Sequence, residues 1–191
     1  MRVRAALLTG LFLVLSACGG GSSKKVACDS DYWDGTVGTC LPDTWQVLDA
    51  ETLRSRGVPE ETIVAFQRKE PVSGQFPTVA VTREPLADPV DPMQYSEANI
   101  RSVEVLEGYV QVDSKDFAVD GVKVKLHTFT AQPIEGEPMR RFYQVSTSLG
   151  DAGYTFTAVT PVSIEKALES EVLLMLKGMT LRKSREVESS K

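Results

Sequence analysis

The sequence predicts an α+β domain in which α-helices pack on an antiparallel β-sheet, preceded by an export signal and a flexible tether. Several segments alternate apolar and polar residues and are separated by short turns, as antiparallel strands with two different faces do. Two longer segments carry apolar residues at helical spacing. The order is two strands, a helix, a run of strands and a second helix, which is typical of an α+β domain.

The first two predicted strands are rich in β-branched residues. They are TIVAFQR at 62–68 and TVAVTR at 78–83. The first is ambiguous, because the stretch PEE at 59–61 would also suit the first turn of a helix. The sequence therefore leaves both alternatives, a strand and a helix, open for residues 62–68.

The first helix is expected to begin at Asp91 and Pro92 and to end at Gly108. Aspartate can cap the free amides of a helix, and proline suits the first helical position. Four apolar residues fall near one face of this helix: Met93, Ile100, Val103 and Leu106.

Four strands and a final helix follow. The strands are predicted at 109–113, 122–130, 141–149 and 154–160. In the second of them, lysines and His127 alternate with apolar residues, so His127 is expected on the wetter face. The final helix is expected at 163–178, with Ser163 as its cap and Gly178 at its end. Its apolar stripe is Leu168, Val172 and Met175.

The N-terminus resembles that of bacterial lipoproteins. Arg2 and Arg4 precede an apolar run at 5–15, which is the length of a secretory signal and too short to span a bilayer. The stretch LSAC at 15–18 resembles the lipobox, in which the cysteine thiol receives diacylglycerol and the signal is cut just before it. The resemblance implies a signal peptide at 1–17 and lipid attachment at Cys18. An ordinary signal peptide, with Cys18 as a bystander, is the alternative.

Cys28 and Cys40 remain as a pair once Cys18 is assigned to lipid. Exported proteins meet oxidising conditions, so a disulfide is expected between them. It would close the loop 28–40 behind a tether at 18–27. The segment 29–39 contains three aspartates, but it departs from the calcium-binding EF-hand loop at three places, and Asp and Gly are common in tight turns.

Five short motifs, in order, resemble the PsbP/DcrB-like group, whose fold is shared with the eukaryotic Mog proteins. They are LPDTW at 41–45, TVAV at 78–81, VDGVKV at 119–124, RFYQV at 141–145 and GYTFTA at 153–158. The resemblance covers about residues 41–182 and implies a non-enzymatic accessory role on a membrane-associated assembly. No functional residue of the group can be matched to this chain. A solvated, disordered tail is expected at 183–191.

The sequence contains no recognisable catalytic set. His127 is the only histidine, so a histidine metal triad is impossible and any Ser-His-Asp set would have to use it. Glu135 and Glu137 lie in a Gly- and Pro-flanked loop, which is a poor frame for paired catalytic acids. Three aspartates on a strand–turn segment could bind a divalent ion weakly, or could serve solubility: Asp113, Asp116 and Asp120. Arg140, Arg141 and Tyr143 are candidates for a binding surface, because Arg and Tyr are enriched at binding hot spots.

The sequence thus predicts a lipid-anchored cell-envelope protein that acts as a non-enzymatic binding or accessory module, with an envelope protein as partner. No cofactor or metal is expected. The net charge of −5 and the lack of a long basic run argue against nucleic acid. Gly19 after the lipobox cysteine, in place of aspartate, favours the outer membrane facing the periplasm if the source is didermal. The alternatives are a small-molecule or metal-ion binding lipoprotein, and an envelope hydrolase.

Overall fold

The computed structural model describes residues 26–55 and 58–182. Cys18, the predicted signal peptide and the predicted tail lie outside these residues. The described part of the chain forms nine strands and three helices. In chain order they are β1 Ser30–Trp33, β2 Gly38–Leu41, β3 Trp45–Leu48, α1 Ala50–Ser55, β4 Thr62–Arg68, β5 Thr78–Pro85, α2 Pro92–Val103, β6 Val110–Val119, β7 Val122–Ala131, β8 Arg140–Leu149, β9 Ala152–Pro161 and α3 Lys166–Lys177.

Seven strands form one antiparallel sheet in the order β3-β4-β5-β9-β8-β7-β6, and β1 pairs with β2 in a separate hairpin. The predicted α+β fold with an antiparallel sheet is therefore confirmed. β4 pairs with both β3 and β5, so 62–68 is a strand and the helical alternative is wrong. Its β-branched residues, and not the preceding PEE stretch, decided its structure.

Helix α3 covers one face of the sheet, which we call the α3 face. The predicted apolar stripe of α3 is confirmed, because Leu168, Val172 and Met175 are buried. They pack in one cluster with strand residues that include Phe66 and Phe156. Burial of each such side chain stabilises the fold by about 1.5–3 kcal/mol, so this layer is the main core.

Trp45 ties the edge strand β3 to α3. Its side chain is 2% exposed, and its Nε1 donates a hydrogen bond to Glu171 Oε2 over 2.9 Å. Arg68 Nε lies 3.5 Å from the same oxygen. The tryptophan of the LPDTW motif thus has a structural role at the sheet edge.

Helix α2 covers part of the opposite face, which we call the α2 face, over β7 and β8. A smaller apolar cluster of Phe129, Ala131 and Phe142 lies there. Ser96 of α2 accepts a hydrogen bond from the Lys125 backbone N–H over 3.1 Å. His127 is 0% exposed, so the expectation that it lies on the wetter face is wrong. Strand alternation alone could not show that a helix covers this face.

The β1–β2 hairpin is attached to the end of α3. Cys28 and Cys40 are joined in the predicted disulfide, with their Cα atoms 5.4 Å apart. Gly38 and Thr180 exchange two backbone hydrogen bonds of 2.8 and 2.9 Å. A Cβ on Gly38 would lie 2.9 Å from atoms of Trp33 and Thr180, so this close approach requires glycine.

The hairpin turn is built by Asp34. Its Oδ1 accepts hydrogen bonds from the backbone N–H groups of Thr36, at 2.7 Å, and Val37, at 2.8 Å. Gly35 has a φ of 104°. The Asp- and Gly-rich segment between the cysteines therefore forms an ordinary tight turn.

The predicted start of α2 is confirmed. Asp91 Oδ1 accepts hydrogen bonds from the backbone N–H groups of Met93 and Gln94. The helix ends at Val103 and not at Gly108, because the chain turns there before entering β6.

Two other predicted boundaries, the start of α3 and the end of β6, differ from the structure by three residues or more. Ser163 does not cap α3, which begins at Lys166 after Glu165, while Gly178 ends it as predicted. β6 continues to Val119 instead of ending at 113. It is an edge strand that pairs with β7 alone, so polar residues are tolerated along it.

Candidate functional site

A polar groove lies on the α2 face, beside α2 and above β5, β9 and β8. Its volume is about 370 Å³. α2 covers β7 and β8 but leaves this part of the sheet open. The walls are α2 on one side and the segment before β4 on the other, where Pro59 and Glu61 lie.

The floor of the groove consists of side chains from three neighbouring strands. They are Thr82, Gln144, Thr155 and Thr157. Thr82 of β5 pairs in register with Thr155 of β9, and Thr157 pairs with Gln144 of β8. Their neighbours Val81, Phe156 and Val145 belong to the core beneath. Strand alternation therefore presents a row of hydroxyl and amide groups to the groove.

Tyr95 and Asn99 of α2 form the helical wall. Tyr95 Oη donates a hydrogen bond to Glu84 Oε1 over 2.7 Å. Asn99 Nδ2 donates to the Tyr95 carbonyl over 3.1 Å, and Thr155 Oγ1 donates to Asn99 Oδ1 over 3.3 Å. These bonds connect the helix, the floor and β5.

Gly153 provides the space for the Tyr95 ring. A Cβ at position 153 would lie 2.3 Å from the ring, closer than real side chains allow. Tyr95 is 6% exposed, and burial together with the bond to Glu84 raises the pKa of Tyr95 to about 12. The phenol therefore keeps its proton at neutral pH and holds the Glu84 carboxylate in place.

Gln144 is the notable floor residue. It is 7% exposed, and within the described residues its Oε1 has no hydrogen-bond partner. Most buried polar atoms in native proteins are hydrogen-bonded, and leaving one unpaired costs about 1–3 kcal/mol. The side chain lines the groove, whereas the Oε1 atom itself is buried.

His127 lies next to Gln144 in the strand register. It is fully buried, and its Nε2 is 3.1 Å from Tyr109 Oη. Its ring stacks on Phe129, with centroids 5.1 Å apart. Burial lowers the pKa of His127, so the ring is neutral at pH 7.

The groove is acidic. Glu61 and Glu84 are the charged side chains among the described residues that line it. Both are exposed at the rim, whereas the floor is neutral. The groove thus has two carboxylates, Glu61 and Glu84, at its rim and a floor of uncharged polar side chains.

The structure does not bring the predicted binding residues Arg140, Arg141 and Tyr143 together as one surface. Tyr143 is 2% exposed on the α3 face, where its Oη donates to Glu169 Oε1 over 3.2 Å. Arg141 shares that face by strand alternation, whereas Arg140 points to the other and pairs with Glu137 over 2.9 Å. A binding role for these residues stays a prediction.

The acids singled out in the sequence also have local partners. Asp113 pairs with Lys115, and Asp116 with Lys125. Asp120 accepts hydrogen bonds from residues 180 and 181, which fastens the segment after α3. In the described ranges, no group of three or more His, Cys, Asp or Glu side chains could hold a metal ion.

The sequence prediction missed the groove. One signal was available: Gln144 is an amide between the apolar residues Tyr143 and Val145 in a strand that has buried residues on both sides. A polar side chain at such a position is expected to have a hydrogen-bond partner or a functional role. The groove itself was not predictable, because its walls come from segments far apart in the sequence.

Across 26–55 and 58–182, no helix is long and apolar enough to cross a membrane. No protein-family model and no curated protein matches the chain.

Solved structures do match. One is cyanobacterial PsbP (CyanoP) from Synechocystis sp. PCC 6803, with a TM-score of 0.52 and 13% identity over 88% of this chain and 99% of that one. Another is LpqN of Mycobacterium tuberculosis, described as involved in cell envelope biogenesis, with a TM-score of 0.60 and 12% identity over 79% of this chain and 88% of that one. At these identities the likeness concerns the fold alone, and the chain has a PsbP-like fold.

Proposed function

We propose that this protein is a lipid-anchored cell-envelope binding module, and that the polar groove is where its PsbP-like domain contacts a ligand or partner. The observation that carries the proposal is the open polar groove, whose floor includes the side chain of Gln144, an amide with an unpaired Oε1 in the described chain. The hydroxyl and amide groups of the floor can hydrogen-bond to an occupant of the groove.

The proposed location rests on the N-terminal sequence. The basic residues, the apolar run and the LSAC stretch at 15–18 favour export and lipid attachment at Cys18. A PsbP-like fold also occurs in LpqN, which is described as involved in cell envelope biogenesis. The description concerns LpqN, and it supports an envelope role for this chain by analogy of fold alone.

A binding role fits the groove better than catalysis. General acid–base catalysis needs a titratable group in reach of the substrate. His127 is fully buried beneath α2 and engaged with Tyr109, so its ring is shielded from the groove. Glu84 accepts the Tyr95 hydrogen bond, and Glu61 lies on the exposed rim.

The test is site-specific photo-crosslinking in the native envelope with the full-length chain. A benzophenone amino acid replaces Pro59, which lines the groove, is exposed and is uncharged, so both rim carboxylates stay in place. The matched control carries the same amino acid at Lys123, an exposed position on β7 outside the groove lining.

We expect an adduct from position 59 that is absent from position 123. Gln144→Leu should reduce its yield, because the floor then loses its amide group. Identical adducts from both positions, or none from position 59, would contradict the proposal.

The second candidate is a small-molecule binding lipoprotein. The groove volume of about 370 Å³ supports it, because ligand pockets usually range from about 300 to 1,000 Å³. A thermal-shift screen of polar metabolites, run on wild type and on Gln144→Leu, tests it. A ligand that stabilises both proteins equally would not be bound in the groove.

A further inference from the structure

We propose that two copies of this chain associate through strand β6, whose open edges pair antiparallel around Ser114 and join the two sheets into one. The proposal goes beyond the proposed function and does not depend on it. It commits the open edge of the sheet to one occupant, a second copy of the same chain.

β6 is a long and open sheet edge. Among the described residues it pairs with β7 alone, and its first seven residues are exposed. Val110 and Val112 are 57% and 50% exposed. Alternate residues of an edge strand direct their backbone N–H and C=O groups away from the sheet, where another strand can pair with them. The other edge strand, β3, has only four residues and is tied to α3 by Trp45. β6 is therefore the edge that can accept a further strand.

Backbone geometry restricts the registers that two β6 strands can adopt. From Asp113 to Val119, β6 pairs with β7 without interruption, so residues directed toward β7 and away from it alternate regularly. Two copies related by a two-fold axis match outward groups with outward groups only when the axis passes through a residue and not between two residues. The centre of the pairing must therefore be one residue of this regular segment.

Charge selects one of these centres. An axis through Ser114 places Asp113 of each copy opposite Lys115 of the other. An axis through Asp113, Lys115 or Asp116 would place two like charges directly opposite each other, which is destabilising. An axis through Phe117 would bring no opposite charges together. The register centred on Ser114 is thus the complementary one.

The side chains of Asp113 and Lys115 are accessible for these contacts. They are 51% and 53% exposed, and Lys115 Nζ lies 3.3 Å from Asp113 Oδ2 of the same strand. One exposed pair contributes little to stability, whereas pairing of the strands would bring four alternating charges into one network. A lysine on an edge strand usually prevents unwanted pairing. Here it excludes the other registers and so gives specificity for the one centred on Ser114.

Pairing through β6 leaves the groove accessible. The groove lies over β5, β9 and β8, and β7 separates β8 from β6. A dimer would therefore present two grooves and carry two of the proposed lipid anchors.

The test is size-exclusion chromatography with light scattering on the full chain purified in detergent, over a range of protein concentrations. Lys115→Glu should weaken dimerisation at least about tenfold, because each new carboxylate faces Asp113 of the other copy. Asp113→Lys should weaken it similarly, because lysines then face each other. Lys123→Glu makes the same charge change at an exposed position on β7 and should alter the dissociation constant by less than about twofold. Thermal melts verify that the variants are folded.

The decisive measurement mixes the two edge variants. In a mixed dimer, both carboxylates of the Lys115→Glu copy face both ammonium groups of the Asp113→Lys copy. We therefore expect dimers to reappear on mixing, although each variant alone is mainly monomeric. A wild-type chain that is monomeric throughout the concentration range would overturn the proposal. So would a dimer that persists in Lys115→Glu, or mixed variants that stay monomeric.

A second measurement identifies what β6 meets in the native envelope. Ser114→Cys places two thiols at the two-fold axis, so a short bis-maleimide should link two copies of the full-length chain. Ser163→Cys is the matched control, because Ser163 is also an exposed serine but follows β9, beyond β7 and β8. We expect linked dimers from position 114 alone. Equal linkage from both positions, or linkage of position 114 to a different protein in place of a second copy, would refute the proposal.

Discussion

His127 has two different nitrogen environments. Nε2 meets Tyr109 Oη at 3.1 Å, whereas Nδ1 has no hydrogen-bond partner among the described residues. The ring lies under α2, where burial disfavours its charged form. Because it is the only histidine, its titration can be seen in the stability of the whole protein.

We predict that the free energy of unfolding falls as the pH is lowered below about 6.5. The unfolded chain binds a proton at His127 with the ordinary pKa of 6.5, whereas the folded chain, with its lowered pKa, does not. The stability is fully present above pH 6.5 and is lost as the pH falls through the folded pKa. The slope from this group is at most about 1.4 kcal/mol per pH unit.

Urea unfolding between pH 7.5 and 5.5 measures this slope. His127→Gln removes the titrating group and can still bond to Tyr109, so its slope should be nearly flat. Tyr109→Phe removes the hydrogen bond but keeps the histidine, so its slope should persist. Equal slopes in wild type and His127→Gln would show that another group titrates in this window.

At the scale of elements, the two long helices begin differently. The side chain of Asp91 accepts two backbone hydrogen bonds at the start of α2, whereas Glu165 makes no side-chain cap bond at the start of α3. α2 also carries the groove wall, so its first turn positions Tyr95.

We predict that Asp91→Ala lowers the free energy of unfolding by about 1 kcal/mol, the usual contribution of an aspartate cap. Glu165→Ala is the matched control and should cost less than about 0.5 kcal/mol, because only the helix dipole is affected. Denaturant melts of both variants provide the measurement. Equal losses in the two variants would show that the Asp91 bonds do not stabilise α2.

Elements whose pattern is local were predictable from the sequence. β7 and β9 alternate apolar and polar residues, and α3 has apolar residues at helical spacing. These patterns can be read from each segment by itself. The extent of β6 and the burial of His127 were not predictable, because the first depends on pairing with β7 and the second on where α2 lies. The groove depends on Pro59, Tyr95 and Gln144 meeting in space.

At the scale of the whole molecule, the sheet has one sealed face and one partly open face. α3 closes the α3 face over the main core, and α2 leaves the groove open on the other. The β1–β2 hairpin, which follows the predicted tether, is fastened at the end of α3 by the Gly38–Thr180 bonds. The main core and the groove therefore lie on opposite faces of the sheet, so an occupant of the groove does not contact the main core.

We predict that Cys18→Ala moves the protein from the membrane fraction to the soluble fraction of the envelope. Multiple acyl chains hold a protein stably on a membrane, and without them the acidic chain has no electrostatic attraction to anionic lipid. The thermal midpoint should not change, because Cys18 lies outside the described fold. Fractionation and thermal melts of the two proteins measure this.

The matched control is Cys28→Ser with Cys40→Ser. It removes the other cysteines and should behave in the opposite way: it stays in the membrane fraction but is less stable by roughly 2–3 kcal/mol, the loss expected for a short disulfide loop. Cys18→Ala that stays with the membrane after its signal peptide has been removed would exclude lipidation as the anchor. If Cys18→Ala is released and the adduct from position 59 also declines, the anchor acts by keeping the groove at a high effective concentration near its partner.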